Sequence, residues 1–246
     1  MAERSGDDER FGSDFDDPDL DEVFAKTSPA DTIAAVLTEA RLVLAEVSSP
    51  LEAELWGSDI IGALGSGSGQ ADAIAEAAER AATPEALAAL CALGAVGTGP
   101  LRSAADAAAG RLAGLGISRP AWAESIGAPS PGECWSYGDT FGEQEVVTMA
   151  FWYGEQGHAV SVLLDRAQGG GIKNIWVGDC EGLLDRTREM AQKTSGMIFE
   201  MITQADARGR MDRAIAAGEC PQQPAERAAV ASTRAILRAR VALLSR

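Results

Sequence analysis

From Gln144 to Tyr153, Val147, Met149, Phe151 and Tyr153 alternate with Val146, Thr148, Ala150 and Trp152, a period of two that predicts a β-strand. A second such run places His158, Val160, Val162 and Leu164 on one face and Ala159, Ser161, Leu163 and Asp165 on the other. Gly154 to Gly157 reads as a four-residue hairpin loop between them. Cys134 to Gly138 predicts a short strand before this pair, with a turn over Asp139–Glu143. Beyond the glycine-rich turn Gln168–Gly171, Ile172 to Val177 predicts a fourth strand carrying Trp176. Met197 to Ile202 is a fifth strand or the start of a helix, with strand favoured. The middle strands are apolar on both faces, so such a sheet needs cover on both sides.

Around this meander the period changes to that of helices. Ser28-Pro29, Ser49-Pro50 and Thr83-Pro84 each place a capping oxygen before a proline at the first helical position. Behind the first, Ile33, Val36, Leu37, Ala40 and Leu44 share a face; behind the second, Leu51, Leu55, Ile60, Ile61 and Leu64 do much the same. The run from Gly65 to Gly69 lacks the spacing of a phosphate loop and reads as a connector. Three alanine-rich helices are predicted over 70–81, 84–93 and 101–114. Residues 117–133, rich in proline and glycine, form a joint onto which Trp122 and Ile126 pack back. After Asp179 come a helix through Ala191, a helix from a Thr203 cap to Ala217, and a terminal helix over 225–244. The prediction is an α+β fold: an acidic tail over 1–26, a helical region over 27–127, a mainly antiparallel sheet plus helix over 128–203, and C-terminal helices over 204–246.

Charge and composition narrow the chemistry. The net charge of −16 opposes binding to nucleic-acid phosphates. No apolar run reaches membrane-span length, and the amino terminus shows no secretory pattern, so a cytoplasmic protein with no membrane partner is expected. Residues 1–22 carry ten acidic and two basic side chains, too few apolar groups to offset ordering entropy, and read as an acidic tail. The other reading makes Phe11, Phe15 and Leu20 a docking motif for a basic partner. Arg227, Arg234 and Arg238 share one face of the terminal helix, read as a solvated arginine face. Cys91, Cys134, Cys180 and Cys220 have neither metal-ligand nor redox spacing.

A single histidine excludes sites that need two, and neither cofactor nor metal is expected. His158 alternates with aliphatic residues and reads as a packed side chain. Asp139, Asp165 and Asp179 all stand at strand ends, where they can either shape turns or converge on a ligand. Lys173 is placed to pair with Asp165 across the turn that contains Gly170. Trp176 is expected to anchor its strand in the core. As candidate ligand-binding residues the sequence offers Asp139, Asp165, Gly170, Lys173 and Trp176, with no catalytic residue among them.

The sheet segment resembles a group of uncharacterised proteins from high-GC, actinobacterial-type bacteria. Their signature is a GD-x-F/Y-GDQ turn followed by D-H-N-x-G-G-x-x-K-D-x-W. Here the first part stands as Gly138-Asp139-Thr140-Phe141-Gly142-Glu143-Gln144. The second matches at Asp165, Gly169, Gly170, Lys173 and Trp176, while Arg166-Ala167 replaces the His-Asn pair and Asn174 the second Asp. The resemblance implies an α+β fold and carries no activity with it. Three functions stay open: a non-catalytic interaction or scaffold protein with a protein partner, which the lack of a catalytic constellation favours; a small-molecule-binding regulator; and an enzyme with an Asp/Lys site at the strand-end turns.

Overall fold

The computed structural model describes residues 29–65, 70–220 and 223–245. The Ser28 cap, most of the 65–69 connector and the acidic segment before it lie outside these residues. Five helices come first: α1 (Pro29–Val43), α2 (Pro50–Leu64), α3 (Gln70–Ala81), α4 (Pro84–Val96) and α5 (Gly99–Gly114). Two of their starts show the predicted capping chemistry. Ser49 and Glu52 form a reciprocal capping box on α2, and Thr83 accepts the Ala86 N–H on α4. The core of this unit is built round α4, from Ala86 to Leu93, with Trp122 of a short 3-10 turn (Ala121–Glu124) closing it.

The sheet follows as β1 (Ser130–Asp139), β2 (Gln144–Tyr153), β3 (Gln156–Asp165) and β4 (Gly171–Asp179), then α6 (Cys180–Lys193), β5 (Met197–Ile202), α7 (Gln204–Ala217) and α8 (Pro224–Leu243). The fold is α+β. Strand order is β4-β3-β2-β1-β5, every neighbouring pair antiparallel. Two details differ from the pattern reading. Strand β1 begins at Ser130 because a bulge at Gly132 and Glu133, between Pro131 and Cys134, lets Ser130 and Pro131 join the ladder. The β2–β3 hairpin is tighter than four residues, since Tyr153 pairs with Gln156.

Cover is supplied on both faces. Val147, Met149, Phe151, Val160, Val162 and Leu164 pack on α7 and α8 through Met211, Leu237 and Val241. On the opposite face α6 lays Cys180 and Leu184 over Trp135, Ala150 and Ala159. Helix α8 is the shared element: one side faces the sheet, and the other sets Ala235 and Ile236 against Val96 and the flank of α2. A Cβ on Gly62 would lie 2.6 Å from the Ala231 carbonyl oxygen, so α2 and α8 cross in backbone contact that only glycine allows. Leu51 and Leu55 are only half-buried; the face of α2 that α8 covers is made of Glu54, Ser58 and Gly62.

Candidate functional site

Asp139, Asp165, Gly170 and Lys173 sit at one end of the sheet and Trp176 midway along β4. Asp139 turns its carboxylate onto its own loop, accepting the N–H groups of Phe141 (2.8 Å), Glu143 (3.2 Å) and Gln144 (2.7 Å). The Gln144 N–H, with its neighbours, holds this carboxyl below the usual range. Asp165 is buried, accepts the Gln168 N–H at 3.1 Å and faces the Lys173 ammonium at 3.4 Å. Gly169 and Gly170 take φ of 95° and 79°, and the Gly170 N–H closes the turn on the Asp165 carbonyl at 2.8 Å. Asp179 lies at the opposite end of β3, across from His158, and caps α6 through the Gly182 N–H at 2.7 Å. Three aspartates thus serve three backbone turns. Among the described residues no group of three or more His, Cys, Asp or Glu side chains is arranged to hold a metal ion.

Trp176 is a correction. It is 41% exposed, on the sheet face that α6 covers, and does not anchor the core. It pairs across the ladder with Ser161, in a row that runs Met201–Trp135–Thr148–Ser161–Trp176 from edge to edge. Helix α6 covers the middle of that row and leaves its ends open.

The most elaborate polar arrangement is one the sequence reading passed over. Arg240 of α8 and Glu54 of α2 are both 0% exposed and paired. The guanidinium donates to Glu54 Oε1 (3.1 Å) and Oε2, and its Nε–H to His158 Nε2 at 2.9 Å. Tyr153 donates its hydroxyl to Glu54 Oε1 at 2.8 Å, and the Gly127 N–H reaches the same oxygen at 3.0 Å. The guanidinium carbon lies 5.6 and 5.7 Å from the ring centroids of Phe151 and Tyr153. Burial first, and the Arg240 charge second, lower the His158 pKa to about 3. The ring is therefore neutral, with Nε2 accepting and its proton on Nδ1. Burial likewise pushes the Tyr153 hydroxyl up. The network ties α2, the 127 joint, β2, β3 and α8 at one locus. Both Glu54 oxygens, the Tyr153 hydroxyl and all three Arg240 nitrogens have protein partners, which describes a clamp between the helical unit and the sheet.

At the other end of the same sheet face, Glu145 accepts the Ser136 hydroxyl at 2.7 Å and pairs with Arg166 and Arg210. Burial alone would raise its pKa; the Ser136 hydroxyl and the two guanidinium groups outweigh it and hold the carboxyl below its ordinary value. Arg166 thus serves this ion cluster together with Arg210.

Among the described residues, edge strand β5 has a neighbour on one side only. Ile198 on one of its faces is 51% exposed and Met201 on the other is 67% exposed. On β2, two strands in from this edge, the indole of Trp152, 40% exposed, lies across the sheet: a Cβ on Gly157 would meet it at 2.6 Å and one on Gly132 at 2.9 Å. Around the start of α6 the charges are acidic. Burial raises the Cys180 thiol pKa, and Asp179, Glu181 and Glu133 raise it further. Comparison with protein-family models, with curated proteins and with solved structures finds no match to this chain.

Proposed function

We propose that the protein is a non-catalytic interaction module that takes an extended, basic segment of a protein partner onto the open edge of its sheet. The observation that carries this reading is β5 itself. An edge strand presents unpaired backbone donors and acceptors, and β5 adds exposed apolar anchors, Ile198 and Met201, on both of its faces. Charge selects the partner's chemistry. Glu200 sits between the two anchors on β5, with the Arg210 guanidinium 4.0 Å from its carboxylate, and the whole chain carries −16. Two copies of such a chain repel each other, whereas a lysine- or arginine-bearing strand is attracted. The side chains able to do chemistry elsewhere, Asp139, Asp165, Asp179 and His158, are already bonded to their own fold.

The test uses a ten-residue peptide of alternating valine and lysine, with a valine–glutamate peptide as control. Titrated at 0.15 M salt against the full chain, the basic peptide is expected to bind and the acidic one to leave the signal unchanged. Met201→Ser, at an exposed position, should keep the fold and weaken binding by about tenfold, the loss of one buried methionine contact. Equal affinity in the wild type and Met201→Ser, or binding of both peptides, would overturn the assignment.

A further inference from the structure

A cleft of about 480 Å³ opens on the side of the molecule where α8 crosses the helical unit. Its volume falls in the range of small-molecule sites, roughly 300–1,000 Å³. The walls are apolar, with Ile61 and Leu64 from α2, Ile74 from α3 and Leu101 from α5. At its α8 side stand Arg234 and Arg238, one helical turn apart and so on the same face. Arg234 is braced by Glu219, while Arg238 has no hydrogen bond or ion pair among the described residues. In a chain of net charge −16, an arginine left without a carboxylate beside an apolar cleft stands out against the chain's own charge. The two guanidinium groups also repel: burial lowers the Arg234 pKa first and the charge of Arg238 lowers it further. An anion set between them would relieve that repulsion.

We propose that this cleft binds an anionic amphiphile, with the hydrocarbon chain against Ile61, Leu64, Ile74 and Leu101 and the headgroup on Arg238 and Arg234. A competing account is physical and specific. The carbonyl ends of α2 and α4, at Gly65 and Gly97, also open on the cleft, and cations are favoured near such ends without any ligand. The two accounts part on the response to a charged headgroup.

Calorimetric titration of the full chain with decanoate, decyl phosphate and decanol, each below its aggregation concentration, separates them. The expected result is that at least one anionic ligand binds ten or more times more tightly than decanol. Arg238→Gln should remove most of that difference and leave decanol binding unchanged. Leu64→Trp, which fills the cleft, should abolish binding of all three, with circular dichroism confirming the fold. Decanoate against decyl phosphate then identifies the headgroup. Equal binding of decanol and both anions, indifference to Arg238→Gln, or absence of binding by all three would each overturn the proposal, the first two leaving the arginines as companions of the helix ends.

Discussion

Replacing Arg240 by methionine strands the carboxylate of Glu54 in the interior. Both groups are 0% exposed, so water cannot take over from the lost guanidinium. Breaking a buried pair by removing one partner costs about 3–5 kcal/mol, because the surviving charge is left uncompensated. Methionine keeps much of the apolar contact with Phe151 and Tyr153, so the loss reports charge more than volume. A second change, Glu54→Gln, removes the stranded charge while an amide oxygen can still accept from Tyr153 and the Gly127 N–H. The double variant should therefore be more stable than Arg240→Met alone by about 2 kcal/mol, a strong coupling in a double-mutant cycle. Urea unfolding of the four proteins measures all of this. An Arg240→Met loss under about 1 kcal/mol, or single losses that simply add, would refute the claim that this network clamps the helical unit to the sheet.

Further expectations follow from the same geometry. His158 has a folded pKa of about 3, below its unfolded value near 6.5. The unfolded chain therefore binds a proton that the folded chain refuses, and stability falls as pH drops from about 6.5 toward 3, by up to roughly 1.4 kcal/mol per unit. His158→Gln should flatten that slope between pH 6.5 and 4.5 in urea titrations; an unchanged slope would remove the histidine from the account. Glu145→Gln should cost about 1–3 kcal/mol by leaving Arg166 and Arg210 facing each other without their anion, read from the urea midpoint. Gly62→Ala should lower stability by about 1–3 kcal/mol, since its Cβ collides with the Ala231 carbonyl, whereas the exposed Trp176→Ala should cost no more than about 1 kcal/mol.

The strands and capped helices were legible because each rests on local chemistry. Alternation in β2 and β3, the Ser49 and Thr83 caps, and the glycines that close the β3–β4 turn all act within a few residues. Helix packing and strand order depend on partners far along the chain. Glu54 and Arg240 are separated by 186 positions, and neither helix alone says that its charge will meet the other. A trace was present: Arg240 falls on the apolar stripe of Ile236, Leu237, Val241 and Leu244, and Glu54 falls in line with Gly57, Ser58 and Ile61. One charge of each sign on two otherwise buried faces is the signal of a buried pair. Trp176 failed as a core residue for a related reason. Alternation assigns a residue to a face, but only the path of α6 decides which part of that face is covered.

Amide hydrogen exchange of the full chain, with and without the valine–lysine peptide, tests the proposed docking function most directly. Added strand pairing must slow exchange at outward-facing amides of Met197–Ile202, and Met201→Ser should need about ten times more peptide to reach the same protection. Protection there, with the rest of the sheet unchanged, is the predicted result; an unaltered β5 while the peptide binds elsewhere would contradict it.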